Sequence, residues 1–210
     1  MRRALLIVVA LGFALGLSYP YLGLDPGDSR IEVPGGLQYA VLVTHIFAAA
    51  VALVLGPLQL LRQTKGRRHR TLGRVYLLAG VLPAAVAAVP VALWSGRLLT
   101  QVGLITAAVL WLVTGGLAYR AARRRDFAAH RAWMLRNYAL TFLAVTARVL
   151  VPFLLLVRIP FGGADPARVP ELIPIGQTLG WIVNLALVEL FIVRRTARSR
   201  TRPPPLPPPP

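Results

Sequence analysis

The residues with chemistry to offer are few. The chain has three histidines, His45, His69 and His130, and 7 acidic residues in 210. Neutral imidazole is a ligand for haem iron and other metals, and it also handles protons near neutral pH. His69 and His130 each open a His-Arg pair at the basic end of an apolar run. Two imidazoles on different helices at one depth have the chemistry of axial haem ligands. The plainer alternative is that both cap helix ends and meet lipid phosphates beside their arginines. Gly73 follows His69 by one turn on the same face, leaving room for a flat group or a close helix.

A second set lies deeper. Arg148 sits far inside the apolar run that begins near Asn137, and Pro152 follows one turn later. A charge at that depth costs roughly 2.5–3.5 kcal/mol on insertion scales, so it needs a partner. One reading gives it an anionic group: a haem propionate, a lipid phosphate or a carboxylate substrate. The other is a structural arginine satisfied by carbonyls and Asn184. By helical rise, Arg148, Asn184 and Trp111 stand about 17, 14 and 12 Å from one face, and His45 about 24 Å. That arithmetic predicts a polar mid-membrane layer of Arg148, Asn184 and Trp111, with His45 above it. Pro152 removes the amide that would bond the Arg148 carbonyl, which predicts a kink there. Glu189 is the one acid within an apolar run, about 8–10 Å below Arg148 along the axis.

Other chemistry is excluded. No cysteine is present, which removes disulfides, thiolate metal sites and cysteine nucleophiles. The sequence has no phosphate-binding glycine loop, no nucleophile elbow and no His-Glu zinc helix. Paired catalytic carboxylates are lacking, so no catalytic residue is assigned and hydrolytic or transferase chemistry is not expected.

The elements that position these residues are membrane helices. The chain is 56% hydrophobic with a mean hydropathy of +0.63, beyond the apolar share of about 45–50% usual in soluble domains. Six apolar stretches approach or reach the length needed to cross about 30 Å of hydrocarbon. They are Ala4–Tyr19, Gln38–Leu61, Thr71–Trp94, Leu98–Tyr119, Asn137–Ile159 and Ile173–Val193. The fold class expected is all-α: a polytopic membrane protein with six transmembrane helices, over residues 1–197. The tail 198–210 ends PPPLPPPP and favours extended, solvated polyproline.

Charge placement orients the spans. The basic excess is 24 against 7, a net +17. It falls in clusters at Arg2-Arg3, Arg62–Arg70, Arg120–Arg136 and Arg194–Arg202. The alternate loops hold only Arg30, Arg97, Arg158 and Arg168. This pattern puts both termini in the cytoplasm and assigns the charge to anionic lipid headgroups rather than to nucleic acid. Arg2-Arg3 before an apolar run also fits a signal peptide, but Ala14-Leu15-Gly16 is a poor cleavage site, so an uncleaved helix is expected. The outer loops Tyr21–Leu37 and Phe161–Pro170 carry Pro-Gly and Gly-Gly turn signals. Tyr19, Tyr21, Trp94 and Trp181 are expected to form an aromatic belt.

Two stretches echo each other. LVLGPLQLLRQTKGRRHRTLGRVYLL starts at Leu53, and WLVTGGLAYRAARRRDFAAHRAWMLRNYAL at Trp111. Each has a glycine pair or Gly-Pro, a basic turn, His-Arg, then an arginine and a tyrosine: His69, Arg74 and Tyr76 against His130, Arg136 and Tyr138. They predict two related helical hairpins that face each other with a site between them. The segments GPLQLLRQ, HRTLGRVY and HRAWMLRNYALTFLAVTARVLVP resemble a bacterial family of predicted membrane proteins, the domain of unknown function numbered 2306. The resemblance spans Leu42 to Pro152 and the last span. It implies a multi-pass inner-membrane protein and supplies no reaction. The matching recurrent positions here are Gln59, His69, Gly73, Arg74, Tyr76, His130, Trp133, Met134, Arg136, Tyr138 and Arg148. A looser similarity is to b-type transmembrane cytochromes; with three histidines, the chain departs from their two full ligand pairs.

The leading expectation is a membrane protein that binds a haem b, or another redox or lipid-like ligand, between the hairpins. His69 and His130 would be the ligands, with Arg74 or Arg148 at a propionate. The rivals are a small transporter or channel for an anionic or proton-coupled substrate, and a structural subunit of a homo-oligomer or larger membrane complex.

Overall fold

The computed structural model describes residues 2–30, 33, 35–61, 66–158 and 169–200. Among them the chain is all-helical: α1 (Arg2–Ser18), α2 (Gly36–Leu61), α3 (Arg67–Val75), a π-helical segment (Tyr76–Val81), α4 (Leu82–Leu93), α5 (Leu98–Arg123), α6 (Phe127–Thr141), α7 (Leu143–Arg158) and α8 (Val169–Arg200). The segment α3–π–α4 is one continuous rod. Five helices are long and apolar enough to cross a membrane, and α6 with α7 makes a sixth crossing if that bent pair is one span. The helices start or run further than hydropathy alone delimits, because their basic ends stay helical: α3 begins at Arg67, α6 at Phe127, and α8 continues to Arg200. The proline-rich tail from residue 201, the loop at 159–168 and the basic residues 62–65 lie outside the described residues.

Small residues set the helix spacing. α2 packs on α1 and α4, α5 on α4 and α6, and α8 on α5, α6 and α7. A Cβ on Gly80 would stand 3.0 Å from the Ala52 backbone, and one on Gly103 would strike the Thr178 side chain. Close backbone approach of this kind drives helix association where lipid removes the hydrophobic incentive. The core is correspondingly alanine-rich, with Ala52, Ala84, Ala85 and Ala118 fully enclosed around Tyr76, Trp111 and Tyr138.

Two irregularities shape the site. The π segment starts at Tyr76, and Leu82 donates its amide to the Leu77 carbonyl, a five-residue step. Pro83 has no amide to return to the preceding turn, and Gly80 seats against Ala52; both favour a widened turn. The break between α6 and α7 bends the chain by 47°. It falls at Phe142, and α7 runs on through Pro152. This break lies ten residues before Pro152, where the sequence predicts a kink. Beside the break, Thr141 donates its hydroxyl to the Asn137 carbonyl four residues back at 3.1 Å. Such back-bonding competes with the helical ladder and bends it.

Of the aromatics expected in an interfacial belt, Tyr19 and Trp94 are exposed. Tyr21 and Trp181 are not. Tyr21 is buried against Tyr39 and accepts the Arg30 amide, and Trp181 packs on the main core. The Pro26-Gly27 turn forms as expected, with Asp25 accepting the Gly27 amide at 2.8 Å.

Candidate functional site

The two echoed hairpins, α2 with α3–π–α4 and α5 with α6–α7, face each other and exchange equivalent contacts. From the first hairpin, the Tyr76 hydroxyl donates to Asn137 Oδ1 at 2.7 Å and meets Thr141 Oγ1 at 2.9 Å. From the second, the Tyr138 hydroxyl donates to the Leu53 carbonyl at 3.2 Å. The glycines of the echo serve the same exchange. The Tyr138 ring packs against Gly56, and a Cβ on Gly115 would stand 3.2 Å from Leu77 and from the Asn137 amide.

Asn137 is the centre of this seam, with no exposed surface. Its amide nitrogen donates to the Trp111 carbonyl at 2.7 Å and to Thr114 Oγ1 at 2.9 Å. The Trp111 indole donates to Thr141 Oγ1 at 3.0 Å. Every polar side chain in the cluster therefore has a partner, as a low-dielectric interior requires. This holds the hairpins in one register.

On the basic-loop side of the seam, the hairpins part around a cavity of about 840 Å³. Its walls are apolar: Leu77, Val81, Leu112 and Met134, with Gly73, Gly115 and Gly116 leaving flat gaps. His69 and His130 both line it, their ring centroids 6.5 Å apart and their planes at 83°. His130 Nδ1 stands 2.8 Å from the Ala118 carbonyl. A carbonyl only accepts, so Nδ1 is the donor in this bond. Arg70, Arg74, Arg123 and Arg131 stand on the rim, all exposed, and Gln59 is buried on the α2 wall.

The remaining candidates separate. Arg136 does not follow Arg74 to the pocket: it holds Glu189 of α8 through two parallel hydrogen bonds, with Nη2 to Oε2 at 2.8 Å, and lies 4.7 Å over the Trp133 ring. Glu189 is thus the partner of Arg136, not of Arg148. The expected layer of Arg148, Asn184 and Trp111 divides. Trp111 and Asn184 both attach to the chain around the α6–α7 break, Asn184 accepting from Thr146 at 2.8 Å and donating to the Ala139 carbonyl at 3.0 Å. Arg148 turns away to a separate cleft against α1. Being two residues past Thr146 puts it on another face of α7. His45 bonds the Ala84 carbonyl at 2.8 Å, inside the α2–α4 contact.

The sequence reading did not single out Asn137, Thr114 or Thr141. Asn137 was visible as a polar residue beside the recurrent tyrosine, at the head of an apolar run. The threonines gave no signal, since an isolated threonine in a span bonds its own helix as often as a neighbour. Among the described residues no group of three or more metal-ligating side chains occurs.

A helical membrane protein with paired hairpins around a histidine-lined pocket is the class these features define. The family pattern described as predicted membrane protein (DUF2306) matches residues 42–192, and the chain belongs to that family. No curated protein and no solved structure matches it.

Proposed function

We propose that this is a protein of the bacterial inner membrane, with its basic loops and both termini in the cytoplasm, that binds one haem b between its hairpins for electron transfer. The observation that carries the reading is the convergence of His69 and His130 at 6.5 Å on a shared apolar pocket. Imidazole nitrogens bind first-row metals such as zinc at about 2.0–2.1 Å, so two rings on opposite sides of one metal have centroids about 6 Å apart. The Nδ1 bond of His130 to the Ala118 carbonyl supports it, because a ligating histidine characteristically donates its other nitrogen to a carbonyl or carboxylate. The volume, about 840 Å³, falls within the roughly 300–1,000 Å³ of cofactor and ligand sites.

The residues fit the group. His69 Nε2 or Nδ1 and His130 Nε2 would hold the iron; Gly73, Gly115 and Gly116 would admit the flat ring. Arg74, with Arg70, Arg123 and Arg131, would meet the propionates by charge-assisted hydrogen bonds. Haem so held would supply one-electron exchange. The chain's part is to fix the imidazoles, exclude water with Leu77, Val81, Leu112 and Met134, and neutralise the carboxylates at the rim. Arg148, in a different cleft, has no place in this arrangement.

The test is the reduced-minus-oxidised absorbance spectrum of membranes from cells overexpressing the protein. Haem bands that rise with protein level, and vanish in His130→Ala while the protein stays in the membrane, are expected. A protein-rich membrane with no such bands, even after added haemin, overturns the proposal.

A further inference from the structure

On the side of the bundle opposite the basic loops, a second cleft of about 440 Å³ opens between α1 and α7. It is lined by Val9, Gly12, Phe13, Leu17, Arg30 and Arg148, with Gly16 between them. Two guanidinium groups thus face one apolar space. Arg148 Nη1 donates to the Ala144 carbonyl at 2.8 Å, and Arg30 Nη2 reaches the Gly16 carbonyl at 3.4 Å. Each guanidinium carries five donors, and among the described residues these two carbonyls are the acceptors they meet. Among the described residues the one ion pair is Arg136 with Glu189, and no described carboxylate lies within 4 Å of either arginine. Two cations lining one cleft repel each other, and low-dielectric walls sharpen the repulsion. An anion between them reverses its sign.

The floor of the cleft is open above two glycines. Gly12 and Gly16 stand one turn apart on α1, and a Cβ on either would meet nothing within 4 Å. The glycines therefore do not serve a helix contact, unlike Gly56, Gly103 or Gly180. They leave a trough beside Val9, Phe13 and Leu17. From these observations we infer that the cleft is a phospholipid site. The phosphodiester sits between Arg30 and Arg148, and one acyl chain lies along the Gly12–Gly16 face. Arg forks bind phosphate oxygens bidentately, which suits them to a headgroup better than lysine. The inference is independent of the haem pocket, which lies on the other side of the Tyr76–Asn137 seam and shares no residue with this cleft.

The test uses the full chain in detergent, with native mass spectrometry and thermal unfolding read together. Phosphatidylglycerol is titrated in mixed micelles, and inorganic phosphate at equal concentration is the second arm. The wild type is expected to retain one phospholipid and to unfold at higher temperature as phosphatidylglycerol is added. Arg30→Gln with Arg148→Gln is expected to weaken retention at least tenfold. Gly16→Leu keeps both cations and fills the trough, and is expected to lose the lipid as well; it decides the matter should the double variant not fold. Equal retention by wild type and Gly16→Leu overturns the inference. Protection by inorganic phosphate equal to that by the lipid also overturns it, in favour of a bare anion site.

Discussion

Replacing Gly56 by alanine tests the seam between the hairpins at its tightest point. The new methyl group would lie 2.1 Å from two ring carbons of Tyr138. Ordinary carbon contacts begin near 3.5 Å, so the ring must retreat by more than about 1 Å. The bond from its hydroxyl to the Leu53 carbonyl is already 3.2 Å and does not survive that shift. Overpacking costs typically about 1–3 kcal/mol, and an interhelical hydrogen bond in a membrane about 0.6 kcal/mol. Better helix propensity returns up to about 1 kcal/mol. Gly56→Ala should therefore destabilise the protein by about 0.6–2.6 kcal/mol, measured by reversible unfolding in mixed micelles. In a Tyr138→Ala background the methyl group meets space instead of the ring. There Gly56→Ala should be neutral or stabilising, giving a coupling of at least about 1 kcal/mol in the double-mutant cycle. Simple additivity of the two changes would refute the contact, and with it the pairing of the hairpins.

Other variants probe the remaining links. Asn137→Leu removes three hydrogen bonds; at about 0.6 kcal/mol apiece the loss is about 2 kcal/mol, and an unchanged unfolding curve would contradict the network. Glu189→Gln should cost no more than about 1 kcal/mol, because the Glu189 side chain is 47% exposed about one turn before the basic end of α8 at Arg194, where headgroups and water screen the pair; a loss of several kcal/mol would contradict that placement. The chain has no native cysteine, so Arg124→Cys gives a clean topology probe: an impermeant maleimide should label it only after the cells are opened, and labelling in intact cells would invert the assignment.

Much of this was legible in the sequence because membrane helices write their constraints locally. Apolar length and basic ends mark the crossings, and the echo pairs His69 with His130 and Tyr76 with Tyr138, whereas its arginines part, Arg74 to the pocket and Arg136 to Glu189. That His69 and His130 face one another follows from the echo plus the rule that paired hairpins oppose their matching faces. The α6–α7 break was not legible. Pro152 carries the louder signal, yet the 47° break falls at Phe142, beside Thr141, which bonds back to Asn137 and across the seam to Trp111 and Tyr76, contacts that only the tertiary fold creates. Arg148 stands apart from Asn184 and Trp111 because helical rise fixes depth and leaves azimuth open. Arg30 could not be tied to it, since its loop returns across the end of α1 by a path that no periodicity encodes.

The pocket claim meets its most direct trial in a haemin titration of the purified protein, followed at the Soret band. Saturation at one haemin per chain is expected, with the spectrum of a low-spin, bis-imidazole haem, and with His69→Ala and His130→Ala each losing that spectrum. No saturable binding, or a low-spin spectrum that survives removal of either histidine, would contradict the account.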